Sequence, residues 1–234
     1  VAMVQGSGRT EGRARGWRTL ALAAPCLLAL LAGALHADWD FALISRRAEA
    51  LYGPLGPGKA RVDEWQALLG RLAGADEKKQ LEEVNRFFNA KLRFTDDLAT
   101  WGQVDYWATP VEALRKGAGD CEDYAIAKYI SLRHLGVPSE KLRITYVKAL
   151  RLNQAHMVLT YYARPDAVPL VLDNLVGGIL PASQRSDLLP VYAFNAEGLW
   201  LAGKGGKQVG DSKRLSRWQD LLKKMKAEGF PTSE

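Results

Sequence analysis

The hydrophobic period of this chain switches from helical to strand spacing at Gly136-Val137-Pro138, and that switch limits what it can fold into. Before it, apolar residues recur at helical spacing. Trp65, Leu68, Leu69 and Leu72 share one face of a helix over 62–72. Leu81, Val84, Phe87, Phe88 and Leu92 share one face of another over 76–92, with Glu and Lys opposite. A shorter helix is expected from Phe41 to Leu51, ended by Gly53-Pro54, with Gly56-Pro57-Gly58 as a loop. After the change come short runs rich in Val, Ile, Leu and Tyr, at 142–150, 154–162, 170–172, 191–194 and 199–201. Turn signals at Arg164-Pro165-Asp166, Gly177-Gly178, Asn195-Ala196-Glu197-Gly198 and Gly203 to Gly206 separate them. Helices followed by strands define an α+β fold: N-terminal helices, then an antiparallel sheet. A basic amphipathic helix from Leu215 to Met225 follows, with Trp218, Leu221, Leu222 and Met225 on one face and a solvated basic face opposite.

The first 37 residues stand apart. Arg13, Arg15 and Arg18 precede an uncharged apolar run from Thr19 to Leu35, and Ala32-Gly33-Ala34 and Ala37 offer small residues for cleavage. Residues 1–37 therefore read as a signal peptide or an uncleaved N-terminal anchor, and 38–234 as one domain. Either reading keeps the basic flank in the cytoplasm and exports the rest to the periplasm. Pro25 and the continuing apolar run argue against lipidation at Cys26. Without the first segment, 28 basic residues face 25 acidic ones, a net charge of +3. That is too mild to indicate nucleic acid.

Export makes the cysteines informative. Cys26 goes with the leading segment, so Cys121 arrives in an oxidising compartment without an intramolecular partner. Thr109-Pro110-Val111-Glu112 carries the marks of a helix start, and Gly117 and Gly119 mark a tight turn after it. Asp120 then caps a helix from Cys121 to about Leu135, its carboxylate expected to be ionised by orphan backbone N–H groups. A thiol at a helix N-terminus is placed for chemistry.

A nucleophilic thiol needs a base, and the base needs an orienting group. Of three histidines, His36 lies in the leading segment. His134 lies at the far end of the Cys121 helix, about 20 Å of rise away. His156, in a strand pattern, is the remaining candidate. Asp173, ending the next apolar strand, is the candidate orienter, with Asn174 as fallback; the alternative for Asp173 is a turn residue at the Asp-Asn bend. Asp120, Glu122 and Asp123 place three carboxylates around the thiol. Acidic residues in a first helical turn favour the helix dipole, but three exceed what one cap needs and their charge raises the thiol pKa. A bound hard cation resolves that conflict, and carboxylate oxygens suit Ca²⁺.

Cys121, His156 and Asp173 stand in the order helix start, strand, end of the next strand. With Asp120-Cys121-Glu122-Asp123-Tyr124-Ala125, Tyr106-Trp107-Ala108-Thr109-Pro110, Ala155-His156-Met157-Val158 and Leu172-Asp173-Asn174, the chain resembles the bacterial transglutaminase-like cysteine proteases. Within them it resembles the LapG-type periplasmic proteases that release large surface adhesins. The resemblance implies a papain-like, transglutaminase-like fold and a Cys121-His156-Asp173 triad with the thiol as thiolate. It implies an oxyanion site of backbone N–H groups, which Trp101 or Trp107 can extend. It implies calcium dependence through Asp120, Glu122 and Asp123, and cleavage of an adhesin's N-terminal region at a diAla site. It also implies inhibition by the periplasmic domain of an inner-membrane c-di-GMP receptor. An acyltransferase of the same fold and a non-catalytic binding module are the alternatives.

Overall fold

The computed structural model describes residues 39–202 and 208–231. The segment 1–37 with Cys26 and His36, and the turn at Gly203 to Gly206, lie outside the described residues. The described chain opens with α1 (Phe41–Tyr52), α2 (Gly58–Leu72) and α3 (Glu77–Lys91). Asp40 and Asp76 start α1 and α3 by accepting the N–H groups of Leu43 (2.8 Å) and Lys79 (2.9 Å), donors the helix itself cannot satisfy. α2 begins earlier than its apolar spacing indicates. Gly58, expected in a loop, is its first residue, and a Cβ there would stand 2.4 Å from Arg115 Cα.

The stretch from Phe94 to Trp107 contains a short helix. β1 (Arg93–Phe94) leads to α4 (Asp97–Trp101), capped by Asp96. α5 (Pro110–Lys116) starts in the expected capping box: Glu112 N–H donates to Thr109 Oγ1 (3.1 Å) and Thr109 N–H to Glu112 Oε2 (2.9 Å). β2 (Ala118–Gly119) pairs in parallel with β1 and delivers the chain to α6 (Cys121–His134).

α6 is the central helix. Asp123 to Leu132 is buried without a break, so α6 has no solvent face there. Polar side chains on it must find partners inside. Ser131 Oγ does, accepting from Trp65 Nε1 (2.9 Å) and donating to Ala127 O (2.7 Å). Lys128 does not: it is fully buried and its Nζ makes no hydrogen bond.

β3 (Leu142–Ala149), β4 (Gln154–Tyr161), β5 (Leu170–Leu172), β6 (Leu180–Pro181), β7 (Leu188–Phe194), β8 (Leu199–Leu201) and β9 (Gln208–Gly210) form one antiparallel sheet in the order β6-β5-β4-β3-β7-β8-β9. β6 and β9 escape sequence reading because neither is an apolar run: β6 is Leu180 and Pro181 alone, and β9 holds Val209 as its one apolar side chain. β7 begins three residues before its apolar run, its start masked by Pro190. α6 packs across β4 and β3, where Leu142, Ile144, Met157 and Leu159 join its side chains in the main core.

α7 (Ser216–Glu228) closes the described chain. Trp218 is buried against Tyr129 and Phe194, with ring centroids 5.7 and 5.6 Å apart. Part of its basic face is used rather than solvated: Lys224 Nζ donates to Trp107 O (2.6 Å) and Glu112 Oε2 (2.8 Å). No helix among the described residues is long and apolar enough to cross a membrane.

Candidate active site

Cys121 is the first residue of α6. The turn before it depends on two glycines. Gly117 adopts φ +65°, and at Gly119 a Cβ would stand 2.6 Å from Asp123 Oδ2, so only glycine lets Asp123 fold back over the turn. His156 is the third residue of β4, the strand on which α6 lies. The thiol consequently meets the backbone N–H of Met157, the residue after His156. Asp173 follows β5, which pairs with β4 through Leu159 and Leu172.

His156 Nε2 lies 2.8 Å from Asp173 Oδ1, and the two side chains are buried. Burial alone would raise the Asp173 carboxyl. The bonds from His156, Leu175 N–H (3.0 Å) and Arg185 Nη2 (2.7 Å) outweigh it and hold the group at about 2. An ionised carboxylate can only accept, so the proton between the pair sits on Nε2 and the basic nitrogen is Nδ1. Asp173 Oδ1 thus meets His156 and, through Leu175 N–H, also closes an Asp-turn. Asn174 Oδ1 is buried without a hydrogen-bond partner.

The thiol has opposite surroundings. Cys121 Sγ donates to Glu122 Oε2 at 3.1 Å. Burial, then Glu122 and Asp120, push the thiol up, against a smaller opposing pull from Met157 N–H. The thiolate expected from a helix N-terminus is therefore not the favoured form in this arrangement. Three acidic groups join Asp120, Glu122 and Cys121 into a cluster: Asp123, Asp97 from α4, and Asp105 from the α4–α5 loop. Ligand atoms of Asp97, Asp120 and Asp123 lie within 4.8 Å of one another, as do those of Asp97, Asp105 and Glu122 and those of Asp120, Cys121 and Glu122. Asp97 is raised to about 6, first by burial and then by Glu122 and Asp105. Asp120 is raised to about 10 by burial, Glu122, Asp123 and Asp97, so the ionised cap expected of it is disfavoured. Asp97 Oδ1, Asp105 Oδ1 and Asp120 Oδ1 are all buried without a hydrogen-bond partner.

Asp123 differs from the others. Its oxygens accept from Ala108 N–H (2.8 Å) and, at 3.4 Å, from Asp120 N–H, so backbone donors already engage both. Asp97 and Asp105 were missed in the sequence; the signal available was a stretch of 94–107 carrying acidic residues among aromatics without helical or strand period. Arg185 was also missed, a lone arginine between two short apolar strands. Arg217 grips Asp105 from α7, with Nε 2.7 Å from Oδ2. Trp107 is spent: its indole N–H bonds Asp105 and its ring stacks on Phe194. The Trp101 indole N–H is buried without an acceptor. His134, as expected, lies at the other end of α6, stacked on Trp39 with centroids 3.9 Å apart.

A thiol at a helix start against the strand that carries an imidazole bonded to a carboxylate, on an α+β frame, fits a class, the cysteine peptidases. More narrowly, the chain belongs to the bacterial transglutaminase-like cysteine proteinases (BTLCP), whose family profile matches residues 68–189, a span holding Cys121, His156 and Asp173. It is similar to solved structures of LapG from Legionella pneumophila. One is 48% identical, covers 79% of this chain and 97% of that chain, and superposes with a TM-score of 0.68. An EGTA-treated form is also 48% identical (79% and 97% covered, TM-score 0.69). A calcium-bound form is 46% identical (79% and 98% covered, TM-score 0.67). No curated protein matches the chain.

Proposed function

We propose that this chain is a calcium-dependent periplasmic endopeptidase that cuts the N-terminal region of a large surface adhesin at a diAla site. In this reading Cys121 is the nucleophile, His156 the base and Asp173 its orienter. A periplasmic domain of an inner-membrane c-di-GMP receptor holds the enzyme inactive, so that release of the adhesin and loss of attachment follow the second messenger. The observation that carries the reading is the contrast around Cys121: an imidazole already oriented by an ionised carboxylate, beside three buried carboxylate oxygens with no partner. Export rests on the signal-like segment 1–37, and the adhesin and receptor on the likeness to LapG-type proteases.

His156 Nδ1 takes the proton of Cys121 Sγ, and the sulfur attacks the scissile carbonyl carbon. Backbone N–H groups at the start of α6 face the developing oxyanion. The C–N bond breaks as His156 returns its proton to the leaving amine. Water, deprotonated by His156, then attacks the thioester, freeing the new C-terminus and the thiol. Asp97, Asp105, Asp120 and Glu122 fit a hard cation: their carboxylates converge, and unpartnered buried oxygens cost free energy that a cation offsets. Asp123 supports them from behind. When bound, calcium supplies positive charge that offsets the carboxylates and eases formation of the thiolate.

The test is cleavage of a co-encoded adhesin's N-terminal fragment, with calcium or with EGTA, and with Cys121→Ala as control. Cutting that requires both calcium and Cys121 is expected. Cutting that persists in EGTA removes the metal role, and cutting by Cys121→Ala removes the nucleophile.

A further inference from the structure

Of the buried cations that the proposed triad leaves unused, Arg185 is the one bonded to Asp173. Arg185 is 3% exposed, nearly the burial of Asp173 itself at 1%. Its Nη2 donates to Asp173 Oδ2 at 2.7 Å. Its Nε and Nη2 also donate to Asp187 Oδ1 (3.0 Å) and Oδ2 (2.9 Å), a planar fork closed on a second carboxylate. The backbone around it is fixed. Ala182 N–H donates to Pro169 O (2.8 Å) beside β5, Arg185 N–H donates to Ala182 O (3.0 Å), and Leu188 N–H, starting β7, donates to Arg185 O (3.0 Å). The β5–β6 hairpin therefore returns Arg185 to the carboxylate that ended β5, twelve residues earlier.

The distribution of bonds on Asp173 gives this contact its meaning. His156 Nε2 and Leu175 N–H both converge on Oδ1. Arg185 alone holds Oδ2. Two partners on one oxygen restrain rotation about the Cβ–Cγ bond from one side only, which leaves the carboxylate some freedom to tip away from the imidazole. A third partner on the other oxygen removes that freedom. Of the charged groups around Asp173, Lys128 of α6 cannot substitute, because it rests 5.6 Å from the Tyr124 ring centroid and makes no hydrogen bond. Asn89 of α3 donates to the backbone carbonyl of Asp173 (2.8 Å) and leaves the side chain alone. A lysine at 185 would retain the charge but not the fork.

We infer that Arg185, itself held by Asp187, is a positioning residue of the hydrolytic site: it locks the Asp173 carboxylate so that Oδ1 stays on His156 Nε2. The inference rests on the triad assigned above. It separates Arg185 from an ordinary structural ion pair, which would need only Asp187.

The test reads the His156–Asp173 hydrogen bond directly, as the downfield proton resonance of a buried imidazole N–H bonded to a carboxylate, together with kcat and KM for cleavage in calcium. Asp173→Asn should remove the resonance and most of kcat; if it removes neither, the triad reading fails and not the inference about Arg185. Arg185→Met should broaden or remove the resonance and lower kcat by about ten- to a hundredfold, with KM changed less than about threefold, the size expected when a catalytic group is held loosely. Arg185→Lys should recover part of both. Arg185→Met with the resonance intact overturns the inference, whatever its kcat. Should Arg185→Met fail to fold, Asp187→Asn takes its place: a weakened resonance with kcat down about threefold or more supports the inference, and an unchanged resonance and kcat overturn it.

Discussion

The two flanks of the site are built on opposite principles. On the Asp173 side the carboxylate is answered on both oxygens. One oxygen takes His156 and Leu175, the other takes Arg185, and the carboxyl sits at about 2. On the Cys121 side charges of one sign accumulate. Asp97, Asp105, Asp120 and Glu122 crowd the thiol, three of their oxygens have no partner, and Asp97 and Asp120 are raised to about 6 and about 10. A fold that engages both oxygens of Asp173 and leaves the other flank short of positive charge has divided the labour. In the proposed mechanism the base is prepared by the protein alone, whereas the nucleophile waits for a cation. Dependence on calcium then lies in the thiol and not in the His–Asp pair.

The largest effect should come from breaking the completed flank. His156→Ala removes the proposed base and should lower cleavage by at least about 10⁴-fold. Calcium should still raise its Tm as much as in the unaltered protein, because the acidic flank is untouched. Thermal melts with calcium and with EGTA, beside the cleavage assay, check both halves. A variant that keeps a tenth of the activity, or that no longer responds to calcium, would contradict the division.

The acidic flank has its own signature, opposite in sign to that of Asp173. Asp97 and Asp120 have folded pKa values above the unfolded value of 3.8, so their contribution to stability is complete below that pH. It is lost as pH rises, through about 6 for Asp97 and about 10 for Asp120. Asp173, lowered to about 2, contributes fully above 3.8 and loses its contribution as pH falls toward 2. In EGTA the protein should therefore weaken as pH climbs from 4 to 8, and calcium should cancel most of that loss. Calcium at a hundredfold excess over its Kd adds about 2.7 kcal/mol. Asp97→Asn keeps an acceptor for Tyr106 N–H while removing a charge. Its Tm at pH 8 should exceed that of the unaltered protein in EGTA and fall below it in calcium. If both orders are the same, Asp97 is not part of a cation site.

The two flanks were also unequally legible in the sequence. Cys121 and Asp173 could be read from their places at a helix start and a strand end, and His156 as the remaining histidine, in a strand pattern. Thr109-Pro110 and Gly117 could be read because capping and positive φ are local chemistry. Asp97, Asp105 and Arg185 could not. Asp97 sits in a five-residue helix, Asp105 in a loop, and Arg185 after a two-residue strand, so none has a periodic context. Each acquires its role from contacts made across the fold. The same limit hid β6 and β9. It also reversed the expectation for the thiol, because the helix N-terminus is local while the burial and carboxylates that oppose it are tertiary.

The smallest effect is the one that isolates the acidic flank. Glu228 of α7 is also a raised carboxyl, about 8, chiefly through burial. It accepts from Tyr52 OH (2.9 Å) and Thr109 Oγ1 (2.5 Å), both on Oε1, while Oε2 has no partner. Its folded value exceeds the unfolded 4.5, so it too weakens the protein as pH rises from 4.5 through 8, and calcium cannot cancel that part. Glu228→Gln keeps the acceptor on Tyr52 and Thr109 and removes the titration. The expected gain is on the order of 2 kcal/mol at pH 9, reduced from the full linkage because the new amide N–H groups find no acceptor. Denaturant melts across pH in calcium should flatten in this variant, leaving the EGTA-only slope as the signature of the carboxylates around Cys121. A slope in calcium that survives Glu228→Gln would place the alkaline weakness elsewhere and remove the pH argument for a cation at the thiol.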